Sequence, residues 1–70
     1  MSKVEILVKI NDAYAAKMTE IAKHCRAAGM SVEQQMDSVG MISGTIERAS
    51  IPKVERIRGV SYVEESRPIT

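Results

Sequence analysis

Residues 3–10, KVEILVKI, place an apolar side chain at every second position: Val4, Ile6, Val8 and Ile10. Period two marks a strand with one buried face. From Ala13 to Ala28 the period lengthens, with Tyr14, Met18, Ile21, Cys25 and Ala28 separated by steps of four, three, four and three. That spacing is one face of an amphipathic helix, and Lys17, Glu20, Lys23 and Arg26 fall off it. A chain that changes period must bury two kinds of element against each other, which restricts it to a layered α and β architecture.

The punctuation between periodic stretches extends this reading. Asn11-Asp12 forms a turn in which Asp12 accepts the free N–H groups of the helix start. Gly29 supplies the left-handed residue that ends the helix. Ser31 to Ser38 is a second strand, although Gln34 and Gln35 blur its alternation, and Val39-Gly40 is a turn. Met41 to Glu47 is a third strand, with Ile42, Gly44 and Ile46 on one face and Met41, Ser43 and Thr45 on the other. Gly44 inside it predicts the close approach of a neighbouring element such as a packed helix. Ser50 caps a second helix whose first turn holds Pro52 and whose stripe is Ile51, Val54 and Ile57. After Gly59, Val60 to Glu65 is a last strand, and Ser66 to Thr70 is a polar tail.

The order β-α-β-β-α-β predicts a single α+β domain over residues 1–70. Its plan is ferredoxin-like: a four-stranded antiparallel sheet, order 4-1-3-2, with two helices on one face. The predicted core is Val4, Ile6, Val8, Met18, Ile21, Cys25, Ile42, Ile46, Val54 and Ile57. A core of this size supplies only about 3–5 kcal/mol, so enclosing a deep reaction pocket within it would sacrifice much of that stability.

Composition narrows the function classes. The net charge is +1, no block of Lys or Arg occurs, and Tyr14 and Tyr62 are the only aromatic residues. This argues against nucleic-acid binding, which needs a basic footprint and stacking platforms. Apolar runs are too short to span a membrane. One cysteine, Cys25, forms no internal disulfide and suits a cytoplasmic location. Catalysis needs a nucleophile, a base and a group that stabilises charge. His24 is the single histidine, and its neighbour Cys25 points about 100° away around the helix. No paired cysteines, HxxxH or carboxylate cluster suggests a metal, and no glycine-rich phosphate loop suggests a nucleotide. The expectation is therefore no catalytic residue, no metal and no cofactor.

Two stretches carry a resemblance. Val39-Gly40-Met41-Ile42-Ser43-Gly44-Thr45-Ile46 precedes the short helix, and Gly59-Val60-Ser61-Tyr62-Val63-Glu64-Glu65 follows it. Together with the VKI strand and the SVEQ segment after the first helix, these make the chain similar to the subtilisin propeptide and inhibitor family. The resemblance implies a protein-binding domain that docks on a subtilisin-like serine protease. The open sheet face would pack on the enzyme, Glu64 and Glu65 would cap helix N-termini there, and Ser66, Arg67, Pro68, Ile69 and Thr70 would lie in the cleft as an added strand. Ser66 stands where the family often has Asp, and Pro68 removes one N–H donor. With so short a tail, weak or temporary inhibition ending in slow cleavage is expected. Leu7, Met41, Ser43 and Val63 complete the expected partner surface if they cluster on the helix-free face of the sheet.

The alternative is a small regulatory or assembly module that binds another protein, or a second copy in a weak homodimer, through the same sheet. Short bacterial chains bearing a ketohydroxyglutarate aldolase name are also similar. That activity needs a desolvated lysine, whereas Lys3, Lys9, Lys17, Lys23 and Lys53 all occupy polar positions. An enzyme is the least expected reading.

Overall fold

The computed structural model describes residues 3–66. It contains strands β1 (Lys3–Ile10), β2 (Ser31–Met36), β3 (Met41–Glu47) and β4 (Val60–Glu65), and helices α1 (Met18–Ala27) and α2 (Ile51–Glu55). The strands form one antiparallel sheet of order β2-β3-β1-β4, which counted from the other edge is 4-1-3-2. The expected tail residues Arg67, Pro68, Ile69 and Thr70 lie outside the described residues.

Strands β1 and β3 form the centre because their alternation is uninterrupted. Ile6, Val8 and Ile10 of β1 face the same way as Ile42 and Ile46 of β3. All five are at most 1% exposed. Met18, Ile21, Ala22 and Cys25 of α1 and Val54 of α2 join them in one cluster, so both helices cover the same face of the sheet. Among the described residues no polar or charged side chain is buried in this core. Its whole contribution is apolar burial, at about 25 cal/mol per Å2. Val4 and Ile57, expected in the core, are half-buried and pack against its rim, while Ile10, Ala22 and Met30 complete it.

The first helical region differs from the expected continuous helix over 13–28. It opens as a 3-10 segment, Asp12–Lys17, and becomes α-helical only at Met18. The cap is Asn11 rather than Asp12. Its side-chain oxygen accepts from the Ala13 N–H at 2.9 Å, and Tyr14 N–H bonds back to the Asn11 carbonyl at 2.8 Å. The Asn11 N–H in turn donates to the Gly59 carbonyl at 2.7 Å, which ties this start to the turn before β4. Gly59 has φ 99°, and a Cβ there would fall 2.7 Å from Ile21 Cδ1 and 3.0 Å from Tyr14 Cγ. Backbone conformation and space both demand glycine at this junction.

Two further local expectations change. Ser50 makes no capping hydrogen bond; it ends a 3-10 turn, Arg48–Ser50, that leads directly into α2. The close approach at Gly44 comes from a strand end and not from a helix. A Cβ on Gly44 would collide with the Ser31 carbonyl oxygen and lie 2.9 Å from the Met30 methyl group. Met30 is buried beneath this crossing, at 3% exposure.

Strand β2 ends at Met36, two residues before Ser38, and a 3-10 turn over Asp37–Val39 leads into the hairpin. Its register shifts between Val32 and Gln34, where Glu33 bulges. The bulge changes the phase of the strand. Val32 pairs with Gly44 on the core face, but Gln34 pairs with Ser43 on the open face. Gln35 then returns to the helix side, where its amide donates to Thr19 of α1 at 3.4 Å and to Asp37 at 3.1 Å. Met36 is left facing outward beside Met41.

Candidate functional site: the open face of the sheet

Paired residues of an antiparallel sheet share a face, so the register fixes which side chains the helices leave uncovered. One row crosses all four strands: Met36, Met41, Lys9 and Tyr62. The next row is Gln34, Ser43, Leu7 and Glu64. A third contains Ser31, Thr45 and Glu5, and Ser66 extends it through its N–H, which donates to the Glu5 carbonyl at 2.8 Å.

The rows differ in chemistry. Leu7, Met36 and Met41 are half-buried by their neighbours alone, and Tyr62 is 50% exposed. Lys9 lies between Met41 and Tyr62, and its ammonium donates to the Val39 carbonyl at 2.9 Å. That bond carries its charge toward the β2–β3 turn, so the half-buried stem continues the apolar row. Val39, 52% exposed, adds a further apolar side chain at this end. Toward the other end a groove of about 210 Å3 is lined by Glu5, Leu7, Glu33, Ser43 and Ser66, with Ile6 and Gly44 at its floor. Neither Glu5, Glu33 nor Glu64 makes an ion pair with any described residue. From the Met36–Tyr62 row to the groove the face thus grades from apolar to acidic, and beyond the groove β1 begins with Lys3, paired with Glu47.

The structure brings Leu7, Met41, Ser43, Glu64 and Ser66 together on this face. Val63 is not among them. It pairs with Val8 and packs on the core cluster. Glu65 pairs with Ile6 on the helix side, and its carboxylate holds Arg48 at 2.7 Å. The two adjacent glutamates therefore point to opposite faces, and a flat partner on the open face meets Glu64 alone. Met36, Tyr62, Glu5 and Glu33 belong to the face in addition. Glu5 follows from simple alternation, whereas Tyr62 faces outward through the register shift in β4 and Met36 only because of the bulge at Glu33.

The remaining reactive residue types lie elsewhere. Cys25 is fully buried, and burial pushes its thiol up to about 11, an effect that Arg26 partly offsets. A neutral, enclosed thiol is a poor nucleophile. His24 is exposed on α1. Among the described residues no group of three or more His, Cys, Asp and Glu side chains is placed to hold a metal ion, and no helix is long and apolar enough to cross a membrane. Compared with protein-family models and with curated proteins, the sequence matches none.

Proposed function

We propose that this chain is a ferredoxin-like protein-binding domain, without catalytic activity of its own, that docks through the open face of its sheet. The observation that carries the reading is the row of Leu7, Met36, Met41 and Tyr62 beside Glu64, on the face that neither helix covers. An apolar patch rimmed by polar groups is what a partner desolvates on binding. A chain with so thin a core gains little by leaving such residues outward unless they meet something.

For the partner, the resemblance of Val39–Ile46 and Gly59–Glu65 to the subtilisin propeptide family points to a subtilisin-like serine protease. Glu64 is the carboxylate placed to meet that enzyme. Glu65, the last residue of β4, is turned to the helix side and holds Arg48.

The test is residual activity of a subtilisin-type protease followed over time with the intact chain and with the Leu7→Lys variant. The expected result is inhibition that fades as the domain is slowly digested through its unfolded state, and that the variant lacks from the outset. Full protease activity throughout, with no complex on gel filtration, would overturn the protease as partner. A dimeric mass for the chain alone, lost in the same variant, would put a second copy on the face instead.

A further inference from the structure

The charge gradient on the open face specifies its occupant more closely than the docking reading on which it rests. We infer that the partner presents an amphipathic helix whose apolar stripe lies across the strands and whose flank is basic. The apolar row of Met36, Met41, the Lys9 stem and Tyr62 crosses four strands. At about 4.8 Å between strands it spans roughly 14 Å, nearly three turns of a helix at 5.4 Å pitch. Leu7 widens this row on its inner side, and the groove of Glu5, Glu33, Ser43 and Ser66 follows immediately. Glu5 is two residues from Leu7 on the same strand, about 7 Å away. A lysine or arginine on the flank of a helix reaches that distance with its stem laid over Leu7 and its charge among the carboxylates.

Three features make the flank basic rather than acidic. Glu5, Glu33 and Glu64 form no ion pair with any described residue. The bulge in β2 sets Glu33 into the groove that Glu5 also lines. The one lysine of the apolar row has its ammonium tied to Val39 at the far end, away from these carboxylates. An acidic flank would be repelled, and a neutral one would leave three carboxylates partly desolvated without compensation.

The experiment uses the full chain and three synthetic helical peptides: a leucine stripe flanked by lysine, the same stripe flanked by glutamate, and a serine stripe flanked by lysine. Amide chemical shifts map the site and titration gives the affinity. The lysine-flanked leucine peptide should perturb β1 and β3 amides and bind at least about tenfold tighter than either control. The Glu5→Gln/Glu33→Gln variant should lose about tenfold in affinity for it, a difference that shrinks in high salt. Its affinity for the glutamate-flanked peptide should not fall. Equal binding of both leucine peptides to the open face keeps the docking reading and overturns the basic partner. Shifts confined to α1 and α2, or no shifts with any peptide, overturn the inference itself, while the protease assay continues to decide the reading beneath it.

Discussion

The two faces of this sheet are built from alternate residues of the same strands, one step out of phase, and they have opposite characters. On the helix side Ile6, Val8, Ile10, Ile42 and Ile46 are at most 1% exposed, with no polar group buried among them. On the open side Leu7 and Met41 are the immediate sequence neighbours of Ile6, Val8 and Ile42, yet they remain half-buried, and Leu7 lies beside the carboxylates of the groove. The difference teaches that stability and recognition are separated here by the pleat. A substitution at one residue should act on folding, and at the next on binding alone.

The largest effect that would break this comparison is expected at Ile42→Ala. Ile42 is fully enclosed at the centre of β3. Truncating such a residue costs about 2–5 kcal/mol through lost burial and the cavity left behind. A domain of this size holds about 3–5 kcal/mol in total, so urea titration should show a largely unfolded chain at room temperature. A cooperative transition shifted by less than about 1 kcal/mol would show that the helix face does not hold the fold.

Alkaline pH tests the same core chemically. The Cys25 thiol is raised to about 11 from an ordinary 9.0, chiefly by burial. Folding therefore favours the neutral thiol. That stability is fully present below pH 9, and it is lost as pH rises from 9 through 11. The loss is on the order of 2–3 kcal/mol once the thiol would ionise in the unfolded chain. Stability measured from pH 8 to pH 11 should fall more steeply for the native chain than for Cys25→Ala. Parallel curves would place the thiol in contact with water.

Gly44→Ala is next. The added methyl would meet the Ser31 carbonyl oxygen, which is backbone and cannot rotate away, and the Met30 methyl group behind it. The expected cost is about 1–3 kcal/mol, read as a lower thermal midpoint. A neutral result would mean that the β2 end slides off β3 without penalty, and with it the phase shift at Glu33.

These residues also show how far the fold could be read from the chain. The bounds of β1, β3 and β4 follow directly from the sequence, and β1 and β3 do so because nothing interrupts Val4 to Ile10 or Met41 to Glu47. Strand β2 does not, because Glu33 bulges and an alternation rule carried through a bulge sends Met36 to the wrong side. A matching irregularity opposite Lys9 and Ile10 lets Val60 and Val63, an odd number apart, both reach the core. Val63 was therefore beyond any period-two argument. Met30 follows Gly29 and reads as loop, but Met30 N–H bonds to the Cys25 carbonyl at 3.0 Å and folds the side chain under Gly44. Leu7, Met41 and Ser43 are legible as outward-facing, whereas the acidic groove beside them is not, since its Glu33 wall exists only after the bulge has formed.

The smallest expected effect is the sharpest test of the separation. Leu7 is a large apolar residue at the middle of a central strand, and by sequence alone its loss resembles a core mutation. In the structure it pairs with Ser43 and Glu64 on the uncovered face. Leu7→Thr introduces a β-branched residue that strands favour, and it removes apolar area that folding never fully buried. Stability should change by no more than about 0.5 kcal/mol, the usual range for a surface substitution. Ile6→Thr, one residue earlier, places a hydroxyl in a core with no polar partner and should cost several times as much. Denaturation of the two variants side by side checks the pair. A loss above about 2 kcal/mol at Leu7 would mean that the open face contributes to the fold as the helix face does. The uncovered row would then be structural, and the case for a partner there would lose its physical basis.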